Sequence, residues 1–196
     1  MPLGAFKAAL MGTAGVSTGD VVLLSSQTAS ADSTIEFTSG IDSTYGEYIF
    51  ACYNVHPSGD GVWFQFQVDA VGGSGYDEAI VSTIFVAQHS EANAIDFDYV
   101  ASKDQIATDA AYQGIGGGVG NDADQSGFYR LHLFNPAGTT YAKHFYAISQ
   151  IYQADDFSMN YRTGGYINTT AAIDSISFKF DSGNIDVGTF KMWGVK

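Results

Sequence analysis

The sequence predicts an all-β chain: an antiparallel β-sandwich, jelly-roll-like, preceded by a short N-terminal arm that is helical or extended. Three observations carry this expectation. Roughly ten strand-like segments recur with turn chemistry about every 8–14 residues, the spacing of a two-sheet sandwich or barrel. Helical periodicity is nearly absent, and no strand–helix alternation points to a parallel sheet. The composition, 45% hydrophobic and 14% aromatic with 23 Gly and 3 Pro, supplies a full core for one domain of 196 residues. Residues 1–17 read as the arm and 18–196 as the sandwich.

The arm, "MPLGAFKAALMGTAGV", holds the best helical stretch, AFKAALMG, about two turns long and ended by Gly12. Its single charge is Lys7, and its apolar block is short, so it is expected to stay on the protein and not to be removed as a leader. Leu3, Phe6, Leu10 and Met11 form an apolar set, with Phe6 and Leu10 at helical spacing. Two destinations are open: a neighbouring subunit or another partner protein, which makes the arm an assembly anchor, or the protein's own sandwich.

The strands follow in order. DVVLLSSQT is a short apolar run, and STIEFTSG alternates Ile35 and Phe37 with polar neighbours. YGEYIFACYNVHP places Tyr48, Phe50 and Cys52 on one face and Ile49, Ala51, Tyr53 and Val55 on the other, a strand expected to be buried on both sides. GVWFQFQVDA alternates Val62, Phe64, Phe66 and Val68 against Trp63, Gln65, Gln67 and Asp69. HPSGDG between these two strands predicts a hairpin. AIVSTIFVAQH reads as a strand, and DQIATDAAYQG as a weak helix. GFYRLHLFNP and YAKHFYAISQIYQ predict a hairpin turning at NPAGTT. FSMNYRTGGYINTT predicts a tight one at Gly164 and Gly165. AAIDSISFKF and TFKMWGV close the chain as a terminal hairpin, with Ile176, Phe178 and Phe180 facing Phe190 and Met192.

Charge excludes some functions. There are 21 acidic and 8 basic residues, a net charge of −13. Nucleic-acid binding needs a basic face to displace counterions, and adsorption to anionic lipid needs the same. No apolar run reaches the length of a membrane span. Cys52, the only cysteine, lies in an apolar run and reads as a buried small hydrophobe.

Motifs for chemistry are few. GIGGGVG lacks the Lys-Ser/Thr of a phosphate loop and the spacing of a dinucleotide turn, and reads as a flexible surface loop. NDADQSGF places Asp122, Asp124 and Ser126 at the first, third and fifth positions of a calcium loop, with Gly127 sixth. Leu133 stands where an EF-hand needs Glu, so an EF-hand is excluded; a simpler calcium site and a solvated turn both remain open. GGSGY has Tyr76 where a nucleophile elbow needs Gly, and His56, His89, His132 and His144 are scattered, so no catalytic constellation emerges.

Two groups are candidate contacts. If the arms of the NPAGTT hairpin pair symmetrically, Arg130, His132 and Lys143 share a face that suits an acidic partner; an exposed polar strand face is the plainer reading. Trp63, beside Gln65 and Gln67, suits a glycan or protein contact, or covers a sheet edge.

The C-terminal stretch carries Ile173, Ile176, Phe178 and Phe180, then SGN, then VGTFKMWGV. It resembles a closing motif of tailed-bacteriophage virion proteins: spaced Ile and Phe, an sGN turn, a Gly, and a last strand ending Leu/Met–Tyr/Trp–Gly–Ile/Val. YIFACYNVHPSGDGVWFQFQVDAVGGSGY is similar to the long-strand, turn, long-strand core of those proteins. The match covers about a quarter of the chain. The resemblance implies a non-enzymatic sandwich mounted on a phage particle as tail fibre, adhesin or head decoration, assembled in the host cytoplasm. It implies other virion proteins as partners, a homo-oligomer with the trimer favoured, and a role in assembly, stabilisation or host adsorption, with a host surface glycan as a candidate ligand. The alternatives are a carbohydrate-binding module or lectin, and a glycan-degrading sandwich with two carboxylates about 5–10 Å apart.

Overall fold

Runs of alternating β-branched and aromatic residues, cut by Gly, Asn and Asp turns, organise the described residues into twelve strands. In chain order they are β1 (Val21–Asp32), β2 (Ile35–Phe37), β3 (Glu47–Pro57), β4 (Val62–Ala70), β5 (Ile80–Ser90) and β6 (Ile95–Tyr99), then β7 (Gln113–Val119), β8 (Gly127–Phe134), β9 (Lys143–Gln153), β10 (Phe157–Ile167), β11 (Ile173–Phe180) and β12 (Ile185–Val195). The computed structural model describes residues 20–73 and 75–196. The arm of residues 1–17, with Leu3, Phe6, Leu10 and Met11, therefore lies outside the described residues.

The pairings nest. β1 pairs with β12, β2 with β11, β3 with β8 and β4 with β7, all antiparallel. This is one long hairpin. Its winding brings β12 beside β3 and β11 beside β4. The result is a jelly roll with layers β1-β12-β3-β8 and β2-β11-β4-β7, joined on one side where β7 meets β9 at Val119 and Gln153. Two inserted hairpins, β5–β6 and β9–β10, extend the first layer to eight strands, β1-β12-β3-β8-β9-β10-β5-β6.

Between the layers lies an aromatic core. Phe64 stands at its centre, with ring centroids 4.2 Å from Tyr129, 5.9 Å from Phe178 and 6.1 Å from Phe190. Phe50 packs 5.6 Å from Phe178, and Phe66 meets Phe145 of the inserted hairpin at 5.0 Å. Val62, Phe64, Phe66 and Val68 are all buried, as their alternation predicts, and so are Ile176, Phe178, Phe180, Phe190 and Met192. Burying a side chain of this size stabilises by about 1.5–3 kcal/mol. Cys52 is buried too, and desolvation pushes its thiol far above the ordinary range.

Several expectations are corrected. HPSGDG is no hairpin: β3 and β4 lie in different layers, and Gly61, at φ +67°, helps carry the chain between them. β11 and β12 likewise lie in opposite layers, so the terminal segments meet across the core, with Phe178 and Phe190 6.3 Å apart, and not as a ladder. Turn residues mark a reversal of direction; they do not decide which strand becomes the neighbour. Only NPAGTT closes the expected hairpin, with Leu133 opposite Phe145.

Glycines misled in both directions. Gly164 and Gly165 sit inside a continuous β10. A β-carbon on Gly165 would lie 2.1 Å from the Val81 carbonyl oxygen, so the residue permits a close approach of β5. GIGGGVG is not a flexible loop but the largely buried strand β7. DQIATDAAYQG forms no helix: a single 3-10 turn, Ala101–Lys103, precedes an irregular segment. Its carbonyls are taken by buried amides, with Gln105 Nε2 donating to Ala111 O at 2.9 Å and Gln67 Nε2 to Ala110 O at 3.2 Å. Asn54, at φ +51°, makes a bulge in β3 that turns Val55 inward, where strict alternation had placed it with Ile49, Ala51 and Tyr53; that second face, expected to be buried, leaves Ile49 and Tyr53 only half-buried.

Candidate interaction surface

The outer face of the eight-stranded layer is where exposed chemistry concentrates. The register lines its residues up in rows across the strands. One row runs Lys191, Ala51, Arg130, Ile148, Arg162, Phe85 and Tyr99. The next contains Trp193, Ile49, His132, Tyr146 and Gly164. Three of the chain's eight basic residues thus share one row of an acidic protein. Arg130 lies 5.4 Å over the Phe128 ring and Lys191 5.8 Å from Tyr53. Among the described residues the one contact of a basic side chain with a carboxylate within ion-pair distance is the hydrogen bond between His132 Nδ1 and Glu47 Oε1. The His132 ring stacks on Tyr146, with centroids 4.3 Å apart and planes 11° from parallel.

This arrangement amends the predicted cluster. Arg130 and His132 do share a face, but Lys143 does not. Because Phe145 pairs with Leu133 on the inner side, Lys143 points inward and His144 outward. Lys143 is buried, its Nζ donating to Tyr141 O at 3.1 Å and Thr169 O at 3.3 Å. Desolvation lowers its pKa, partly opposed by Glu78.

The Trp63 group separates as well. Trp63 is half-buried, its ring lying over Gly114 and Gly117 of β7, with Tyr161 at 5.3 Å and Lys103 Nζ at 4.7 Å from the ring. This is the covering arrangement. Gln67 is wholly buried, donating to Glu78 O, Ala110 O and Ala111 O, so it touches no partner. Gln65 is half-buried at the mouth of a separate cavity of about 410 Å³.

Asp122 and Asp124 lie in an exposed turn. The turn is closed by Gln125, whose backbone N–H donates to Asp122 O at 2.9 Å and whose side-chain oxygen accepts from Asp122 N at 3.2 Å. Among the described residues no three His, Cys, Asp or Glu side chains converge as metal ligands, Asp122 and Asp124 included. Ser126 instead borders a groove that sequence reasoning missed.

That groove, about 520 Å³, opens on the same outer face where β3, β5, β8, β9 and β10 meet at one end. Phe128 forms one wall and packs 5.6 Å from Tyr53. Tyr152 also lines it, from the neighbouring strand, its hydroxyl donating to Asp156 Oδ1 at 3.1 Å and Glu91 Oε1 at 3.4 Å. The hydrogen bond to Asp156, desolvation, and the negative charges of Asp156, Glu91 and Asp124 push its titration up to about 12. Tyr152 therefore remains a protonated donor at neutral pH. Gln150 donates to Ser158 Oγ at 2.8 Å and accepts from Asn160 at 3.3 Å. These residues come from separate strands with no shared sequence motif, so only their alternation on the outer face signalled them.

A second exposed feature lies at the edge. All five residues of β6 are exposed, with Ile95 at 77%, Phe97 at 68% and Tyr99 at 58%. They share a face with Phe85, whose ring lies 5.6 Å from Phe97.

No protein-family model and no curated protein matches the chain. Among solved structures, one of infectious bursal disease virus, Gx strain, is 10% identical over 91% of this chain and 36% of its own, with a TM-score of 0.16. An aerolysin-like protein of Bombina maxima is 7% identical over 82% of this chain and 92% of its own, with a TM-score of 0.11. The chain spans about a third of the viral structure it matches. Similarities this weak carry no argument.

Proposed function

We propose that this protein is a non-enzymatic component of a bacteriophage particle, a tail-fibre, adhesin or head-decoration sandwich that assembles as a homo-oligomer, with the trimer favoured. The observation that carries the reading is the apolar face of the β5–β6 hairpin. Phe85, Ile95, Phe97 and Tyr99 stand exposed together, the kind of face that another chain covers. Asp96 and Asp98 project from the other side of the strand, as alternation requires. Copies carrying −13 each repel one another, so a contact between copies is favoured where apolar side chains predominate and the adjacent charge is the cation of Arg162, as on this face. The C-terminal resemblance to virion proteins supplies the setting, and the rest of the same outer face, from β10 to β12, is left for recognition.

Electron-microscopy class averages of the phage that encodes the protein, compared with particles lacking it, test the setting. A density that vanishes with the protein supports the reading; particles free of the protein overturn it. A free carbohydrate-binding module is the alternative. It needs no contact between copies and would stay monomeric.

A further inference from the structure

We propose that the groove lined by Phe128 and Tyr152 binds a neutral hexopyranose unit of a glycan. The assignment goes beyond the virion reading and does not rest on it. A pyranose presents an apolar C–H face and a rim of hydroxyls, each of which both donates and accepts. The groove matches both. Phe128 offers a half-exposed ring on which the C–H face can pack, and Tyr53 backs it. The rest of the lining mixes acceptors, Glu91 and Asp156, with donors, the Ser158 hydroxyl and the second Gln150 amide N–H, the Tyr152 proton being held by Asp156.

That mixture decides among ligand classes. An ammonium ligand would use the acceptors and leave the donors unmatched. An anion would be repelled by Glu91 and Asp156, and an apolar ligand would strip both of water without replacing it. A sugar hydroxyl pair can donate to a carboxylate oxygen or to the Tyr152 oxygen, whose own proton goes to Asp156, and accept from the Ser158 hydroxyl. Hydrogen bonds to charged groups are the stronger kind. The cavity's size, about 520 Å³, lies within the range of small-ligand sites.

The backbone places these groups in advance. Asp156 at φ +61° and Asn54 at φ +51° both occupy the left-handed region, which Asn and Asp tolerate better than most residues. Both border the groove. The Glu91 N–H donates to Asp156 O at 3.1 Å, tying the β5–β6 turn to the β9–β10 turn, so the two carboxylates are held as a pair. Sites built from parts already in position lose less entropy on binding.

Saturation-transfer NMR on the full-length protein tests the assignment. The probes are the methyl glycosides of glucose, galactose, mannose, N-acetylglucosamine and N-acetylgalactosamine, with maltose, lactose and chitobiose, each at millimolar concentration. At least one should receive saturation from the wild type. Phe128→Ala should abolish the transfer, and Asp156→Asn or Glu91→Gln should weaken binding about tenfold, the loss of one charged hydrogen bond. Should Phe128→Ala fold poorly, Glu91→Gln at the exposed rim keeps the test decisive. Silence from every probe overturns the assignment, as does transfer that survives Glu91→Gln and Asp156→Asn together, or transfer to lysine methyl ester in place of the sugars. Cleavage of a disaccharide would overturn it as a binding site and would also sink the non-enzymatic reading. A monomer that binds sugar would sink the assembly reading alone.

Discussion

Gly117→Ala should destabilise the protein far more than a methyl group in a strand ordinarily does. Gly117 pairs with Trp63 across the β4–β7 ladder. A β-carbon there would lie 2.0 Å from Trp63 Cδ2 and 2.1 Å from Cε2, where ordinary contact begins near 3.4 Å. The indole must therefore retreat by more than an ångström. Tyr161 packs on it at 5.3 Å, and Lys103 stands 4.7 Å from the ring. Overpacking of this kind costs about 1–3 kcal/mol. Disturbing the Tyr161 hydroxyl, which donates to Gly117 O at 3.1 Å, adds about 1 kcal/mol. The sum, about 2–4 kcal/mol, is a large part of a typical stability of about 5–15 kcal/mol. Urea unfolding followed by circular dichroism measures it. In a Trp63→Leu background the same glycine substitution should cost at least about 1 kcal/mol less, because the two residues contact directly. An equal cost in both backgrounds would refute the idea that Gly117 is glycine to admit the tryptophan ring.

Other expectations follow from the same core. Tyr129 is fully buried and its hydroxyl has no hydrogen-bond partner among the described residues, so Tyr129→Phe should raise stability by about 1 kcal/mol in urea titration; a loss would mean that the hydroxyl is satisfied. Burial raises the Tyr161 titration from 10 to about 12, against the hydrogen bond to Gly117, which lowers it. The folded state thus holds this proton longer than the unfolded state does. The contribution is complete below pH 10 and is lost as pH rises from 10 through 12. Melting curves across that window should fall less steeply for Tyr161→Phe than for wild type, and parallel curves would exclude this tyrosine. Deleting residues 190–196 removes Phe190 and Met192 from the core, at about 2–5 kcal/mol each, and strips half of β12 from between β1 and β3. The product should not melt cooperatively, and a cooperative transition near the parent temperature would contradict the placement of β12.

The sequence carried strands and faces well and carried neighbours poorly. Alternation at Val62, Phe64, Phe66 and Val68 named the inner face of β4 outright, because a period of two has only two sides to choose between. The five C-terminal core residues were legible for the same reason. What alternation cannot report is which layer a strand joins. HPSGDG and the SGN turn look like hairpin turns, yet each carries the chain from one layer to the other. β6 and β7 went unread: β6 is five residues alternating with Asp, and β7 is mostly glycine, which looks like a loop until Trp63 is laid across it. On the candidate surface, Arg130 and His132 were legible, whereas Lys143 was assigned outward through a register one residue out of step. The groove was hidden because its walls come from residues as far apart as Asn54 and Ser158. Trp63 drew notice as an aromatic among polar neighbours, but Gln67 is turned to the backbone of Glu78, Ala110 and Ala111.

Sedimentation equilibrium of wild type beside Phe97→Asp tests the central claim, that the protein assembles through the apolar face of the β5–β6 hairpin. Phe97 is 68% exposed, so the substitution leaves the core untouched and the far-ultraviolet spectrum should not change. The account predicts a wild-type multimer, a trimer by expectation, and a folded monomer for the variant. A wild type that stays monomeric at every concentration, or a variant that assembles as the wild type does, would contradict it.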